Sequence, residues 1–129
     1  MKLKLAIVEN NFILQMFLEE ILSGMGHEIL WIADSGEDTL LYLENHKPDL
    51  LLLDIGLSGK YDGIELGTII KEKYQIPFAF LTGSSDRYTM ENAKNTCPVH
   101  IVHKPIDEDK LKKEFNLILG KLNTTEAYV

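Results

Sequence analysis

Asp49 to Gly56 reads DLLLLDIG, and this run limits the possible folds more than any other stretch of the chain. Its four leucines show no polar alternation, so a strand here buries both faces. Such strands occupy the centre of a parallel sheet covered by helices on either side. The rest of the sequence must then supply neighbouring strands and two layers of helix.

It does so in alternation. Leu3–Val8 reads as a first strand. Asn11–Met25 reads as a helix, with Leu14, Leu18, Ile21, Leu22 and Met25 at three- and four-residue spacing and Gly24 and Gly26 about its end. Glu28–Ala33 is a second strand. Ser35 is placed to cap a helix running to about Asn45, with Asp38 in its first turn, where a carboxylate suits the helix dipole. Asp62–Tyr74 is a third helix and Pro77–Leu81 a fourth strand. Ser85–Asn95 is a weaker helix and Val99–Val102 a fifth strand. Asp107–Leu122 is a last helix, with Leu111, Phe115, Ile118 and Leu122 on one stripe. Five strands alternating with five helices predict an α/β fold, a doubly wound parallel sheet, (βα)5. The domain is expected to span Met1–Leu122, leaving Asn123–Val129 as a poorly ordered tail.

Bulk properties narrow the function classes. At 129 residues, 45% hydrophobic and 26% charged, the chain is long and apolar enough for one domain with a proper core. Its net charge of −7 argues against direct binding to nucleic acid or an anionic membrane. The single Cys97 excludes an internal disulfide. No secretory signal is visible, and no apolar run approaches the roughly 20 residues of a membrane span. A cytoplasmic location is expected.

Ligands of such sheets bind beyond the carboxyl ends of the strands. There the sequence places Glu9 and Asn10 after strand one, Asp54 after strand three, Thr82 after strand four and Lys104 after strand five. Each has an ordinary reading as a turn, cap or solvated residue. Together they supply carboxylates, an amide, a hydroxyl and an ammonium on one edge. That set suits a phosphoryl group handled with a divalent cation, the cation on carboxylate and carbonyl oxygens and Lys and Thr on phosphoryl oxygens.

The motifs "IVENN", "LLLLDIGLSGKYDGIEL", "FLTG" and "VHKPI", in this order, resemble the receiver domain of bacterial two-component response regulators from about Leu3 to Leu122. The resemblance implies the flavodoxin-like strand order 2-1-3-4-5. It implies that Asp54 is the phosphoacceptor, attacking a phosphohistidine or a small phosphodonor to form an acyl phosphate. Thr82 and Lys104 would contact the phosphoryl group. Glu9, Asn10, Asp54 and the Gly56 backbone carbonyl would hold Mg²⁺. Gly83 would leave room for a donor or water, and the Lys104–Pro105 bond would be cis. The implied partners are a sensor histidine kinase or histidine phosphotransfer protein. A downstream protein or a second copy would meet the face made by helix four, strand five and helix five. No separate substrate is implied: the protein would at most catalyse its own phosphoryl transfer and dephosphorylation. No output domain follows helix five, so a stand-alone receiver and a piece of a larger one both fit.

Three positions depart from the family pattern. Asn10 stands where a second acid is usual, so metal binding is expected to be weaker by roughly tenfold, about 1.4 kcal/mol. Ile101 replaces the usual Tyr or Phe, and an aliphatic chain cannot reproduce that ring's rotation. The loop Gly56–Gly63 has Ser58 in place of Pro and one residue more than the common form. Asn10 and Ile101 also suit a pseudo-receiver, an interaction module that is not phosphorylated. A flavin or nucleotide binder of the same sheet class is a further alternative, although no GxGxxG or GxxxxGK[ST] loop is present. His27, His46, His100 and His103 lack metal-ligand spacing; His100 and His103 are expected at the surface. Trp31 is expected as an apolar strand residue, and Lys110–Lys113 as a solvated face.

Overall fold

The computed structural model describes Lys2 to Ala127, with side chains through Asn123. Among these residues five strands alternate with five helices: β1 (Lys4–Val8), α1 (Phe12–Gly24), β2 (Glu28–Ala33), α2 (Gly36–Leu43), β3 (Leu50–Asp54), α3 (Gly63–Ile69), β4 (Phe78–Thr82), α4 (Arg87–Asn95), β5 (His100–His103) and α5 (Glu108–Ala127). All strand pairs are parallel, in the order β2-β1-β3-β4-β5. The doubly wound, flavodoxin-like sheet is the observed fold.

β3 lies at the centre, and every one of its residues is buried. Its side chains divide between two cores. Leu51 and Leu53 pack with Val8 and Phe80 on one face, where Leu43 of α2, Leu66 of α3 and Ala93 of α4 close over them. Leu50 and Leu52 pack with Ile7 and Leu81 on the other, under Leu18 and Leu22 of α1 and Phe115 and Ile118 of α5. Full burial of each such side chain contributes about 1.5–3 kcal/mol, which holds the leucine run at the centre. The outer strands β2 and β5 are only partly buried.

Local chemistry starts the helices. Asn11, Ser35, Asp62 and Asp86 each accept a hydrogen bond from the amide three residues ahead, the N-cap arrangement. α4 therefore begins after Asp86, later than the periodicity suggests. The third helix is not α-helical to Tyr74. Ile70–Tyr74 widens into a π-helical turn, closed by Gln75 N–H donating to the Ile70 carbonyl at 2.8 Å, with Gln75 at φ 58°. Apolar spacing cannot distinguish that bonding from the α pattern over so short a segment.

Three readings of individual segments change, and one holds. Asn123–Ala127 continue α5 rather than trailing from it. A helix propagates by one backbone hydrogen bond per residue without needing a buried stripe. The expected tail's Tyr128 and Val129 lie outside the described residues. His100 is not a free surface residue: its Nε2 meets Glu114 Oε2 at 2.5 Å and its Nδ1 meets Lys121 Nζ at 2.7 Å. Lys110 is tied inward, its Nζ donating to the His103 and Pro105 carbonyls. Trp31 is buried as expected, stacked on Tyr42 with Nε1 donating to the His46 carbonyl.

Candidate functional site

The carboxyl ends of the central strands meet along one edge. β1 runs into Glu9, β3 ends on Asp54, β4 ends on Thr82, and Lys104 follows β5. Parallel register brings them side by side: Asp54 is opposite Leu81, Thr82 is opposite His103, and Lys104 N–H donates to the Thr82 carbonyl at 2.8 Å. The Lys104–Pro105 peptide is cis.

Glu9 is fully buried. Its Oε1 accepts from Lys104 Nζ at 2.9 Å and its Oε2 from Asn11 N–H at 2.9 Å. Gln15 Nε2 donates to the Glu9 carbonyl. Lys104 Nζ also stands 3.6 Å from Asp54 Oδ1, which accepts from Gly56 N–H at 2.9 Å. One ammonium thus serves two buried carboxylates. Beneath them, Gly63 passes so close that a Cβ would stand 2.1 Å from the Asp54 carbonyl oxygen and 2.5 Å from Ile55 Cα. Glycine is required there by space.

On the other flank, the buried Thr82 hydroxyl donates to the Ser84 carbonyl at 3.1 Å and accepts from Ser84 N–H at 3.0 Å. Ser84 Oγ donates to Asp86 Oδ2 at 2.6 Å, and Asp86 Oδ1 accepts from Thr89 N–H at 2.8 Å. The Ser84 hydroxyl first, and the Thr89 amide after it, hold the Asp86 carboxyl down at about 2. Gly83 is exposed, and a Cβ there would have nothing within 4 Å, so the approach to the edge is open.

Of the residues singled out from sequence, Glu9, Asp54 and Lys104 are in direct contact. Thr82 adjoins Lys104 through the backbone, and Gly56 reaches Asp54 through its amide. Asn10 sits exposed at the rim, away from the buried interior of the pocket. Ile101 is half-buried and, like Met90 of α4, packs against the core that lies under α2, α3 and α4. The loop from Gly56 to Gly63 is pinned to the start of α2. Tyr61 covers Gly36, where a Cβ would lie 2.8 Å from the Tyr61 Cβ, and Gly59 turns at φ 96° beside Glu37.

Sequence reasoning passed over Asn11, Gln15, Ser84 and Asp86. Asn11 supports Glu9 through a backbone amide, which no side-chain pattern announces. Asp86 carried a readable signal, an acid placed three residues before Thr89 where a helix begins.

Among the described residues, no cluster of three or more His, Cys, Asp or Glu is arranged to hold a metal ion. The available donors are all oxygens: the Glu9 and Asp54 carboxylates, the Asn10 amide and the Gly56 carbonyl. That is the donor chemistry of a hard divalent cation. Each Glu9 oxygen already accepts one hydrogen bond, from Lys104 Nζ and from Asn11 N–H, and each keeps a further lone pair for a cation. Beside this edge α1 exposes Phe12, Ile13 and Met16. No helix among the described residues is long and apolar enough to cross a membrane.

Residues 5–116 match the family model described as the response regulator receiver domain. The chain is 28% identical over 124 residues to the transcriptional regulatory protein PdtaR of Mycobacterium tuberculosis, covering 96% of this chain and 60% of that protein. It is 30% identical over 125 residues to the transcriptional regulatory protein AfsQ1 of Streptomyces coelicolor, covering 95% of this chain and 55% of that one. The chain therefore spans little more than half the length of these relatives. In structure it resembles the signal receiver domain of a modulated diguanylate cyclase from Desulfovibrio desulfuricans, with a TM-score of 0.84, 28% identity, and coverage of 96% of this chain and 99% of that domain.

Proposed function

The chain belongs to the response regulator receiver domain family, and from that premise we propose that it is phosphorylated on Asp54 by a histidine kinase or phosphotransfer protein. The observation that carries this reading is the contact set Glu9–Lys104–Asp54, a buried carboxylate beside a partly exposed cation. An Asp54 carboxylate oxygen attacks the phosphorus of a phosphohistidine. The new P–O bond forms as the P–N bond breaks, and the imidazole nitrogen keeps the electron pair and takes a proton. Lys104 transfers its charge from Glu9 and Asp54 to the phosphoryl oxygens. The Thr82 hydroxyl turns from Ser84 to donate to one of them. The open space at Gly83 admits the donor, and later the water that hydrolyses the acyl phosphate.

Glu9, Asn10, Asp54 and the Gly56 carbonyl would hold Mg²⁺, which when bound offsets the repulsion between the carboxylates and the phosphoryl group. With an uncharged amide at Asn10, its binding is weaker than two acids beside Asp54 would give. Phosphorylation shifts the face formed by α4, β5 and α5 toward a partner-binding state, for a downstream protein or a second copy. Each tenfold shift in that population needs about 1.4 kcal/mol. The acidic surface does not suit nucleic acid as the direct partner.

Acetyl phosphate with Mg²⁺, followed by intact mass measurement, tests this. A phosphoryl adduct that is lost in Asp54→Asn is the expected result. The closed Glu9–Lys104 pair and the aliphatic Ile101 favour one rival reading, a pseudo-receiver that binds partners without phosphorylation. No adduct at high Mg²⁺, together with no effect of beryllofluoride on the spectrum, would overturn phosphorylation at Asp54 and favour that rival.

A further inference from the structure

The Thr82 hydroxyl is already committed. A hydroxyl has one proton to donate, and Thr82 gives it to the Ser84 carbonyl at 3.1 Å while accepting from Ser84 N–H at 3.0 Å. It is 1% exposed, so these bonds are shielded from competition with solvent. Ser84 in turn grips Asp86 through Oγ at 2.6 Å. Asp86 is the N-cap of α4: its Oδ1 accepts from Thr89 N–H, and its carbonyl accepts from Met90 N–H at 3.1 Å. A continuous hydrogen-bonded path therefore runs from the phosphoryl pocket to the first turn of α4.

We propose that Ser84 is the positioning residue through which occupancy of Asp54 reaches α4, by the path Thr82–Ser84–Asp86–Thr89. The proposal rests on the reading of Asp54 as a phosphoacceptor. When Thr82 donates to a phosphoryl oxygen, the two bonds that tie Ser84 to its hydroxyl are broken or bent, and Ser84 is freed to shift. Its hydroxyl moves with it, and the bond to Asp86 lengthens or re-forms at a new angle. The cap on Thr89 feels that change directly. Ile101 on β5 cannot supply an equivalent route, because a branched aliphatic side chain has no ring to rotate and no polar tip to exchange partners. Gly83, with no atom within 4 Å of a notional Cβ, leaves the hinge between Thr82 and Ser84 unobstructed.

Ser84 is only half-buried and makes its contact with Thr82 through backbone atoms. Ser84→Ala therefore keeps the pocket side of the path and cuts only the link to Asp86. The test uses the whole chain, phosphorylated with acetyl phosphate and Mg²⁺, with stoichiometry read by intact mass and amide hydrogen exchange read at Thr89 and Met90. Wild type is expected to change its Thr89 and Met90 exchange severalfold on phosphorylation. Ser84→Ala is expected to reach the same stoichiometry and lose most of that response. Asp86→Asn, which keeps a capping oxygen but weakens the Ser84 bond, is expected to fall between them. Equal stoichiometry with an undiminished response in Ser84→Ala would overturn the link while leaving Asp54 as the phosphoacceptor. Failure of Ser84→Ala to accept a phosphoryl group that wild type accepts would also overturn it, since Ser84 would then act on the chemistry itself. No adduct on wild type would remove the premise, and the proposal with it.

Discussion

Lys104 Nζ lies 2.9 Å from Glu9 Oε1 and 3.6 Å from Asp54 Oδ1. The shorter contact goes to the fully buried residue, and the longer one to the carboxylate nearer the open edge. Before any phosphoryl group arrives, the cation is held chiefly by Glu9 and only loosely by Asp54. Removing it would leave one carboxylate buried against a single backbone amide.

Lys104→Met is therefore expected to destabilise the fold by about 2–3 kcal/mol, below the full figure for breaking a buried pair because Lys104 itself is partly exposed. Adding Glu9→Gln should recover most of that loss, because the unpaired charge is then gone. Urea unfolding of the two single variants and the double variant measures this. A double variant no more stable than Lys104→Met would refute the assignment of Glu9 as the main counter-ion.

Asn10 stands at the wet rim, where an added charge acts through a high dielectric. Asn10→Asp is expected to tighten Mg²⁺ binding by roughly tenfold, about 1.4 kcal/mol. A Mg²⁺ titration followed by amide chemical shifts near Asp54 reads the affinity directly. Equal affinities would mean that position 10 contributes no charge to the metal.

Two glycines of the pocket should behave in opposite ways. Gly63→Ala forces a Cβ into the backbone of Asp54 and Ile55, and is expected to cost about 3 kcal/mol or more. Gly83→Ala meets nothing within 4 Å and should stay within about 0.5 kcal/mol of wild type. Denaturant midpoints distinguish them, and similar losses at both sites would contradict the packing described.

His27 predicts a pH dependence. Its Nδ1 accepts from Leu3 N–H at 3.1 Å, its ring packs on Phe115, and burial holds its pKa below the ordinary value of 6.5. As pH falls below that value the unfolded chain takes up a proton that the folded chain refuses. Folding stability should therefore decline as pH falls from 7, until the folded imidazole also protonates. His27→Phe keeps an aromatic ring and removes the titration. Its stability relative to wild type should rise as pH falls from 7 to 5, as measured by thermal or urea unfolding across that range.

Much of this protein was legible in its residues. DLLLLDIG could lie only at the centre of a covered sheet, because apolar side chains on both faces need helices on both sides. The alternation of strand and helix then placed Glu9, Asp54, Thr82 and Lys104 on one edge, since parallel strands carry their carboxyl ends together. These are consequences of period and order, which are local quantities. Three things were decided by the tertiary structure alone. Lys104 pairs with Glu9 across 95 residues of chain, a choice between two carboxylates that turns on a difference of less than an ångström. The third helix widens into a π turn at Ile70 to end on a left-handed Gln75. The Thr82 hydroxyl is committed to Ser84, and Ser84 to the cap of α4. Hydrophobic spacing reports which side of an element is buried. It carries no information about which donor meets which acceptor once the elements are packed, because that depends on distances fixed by the whole fold.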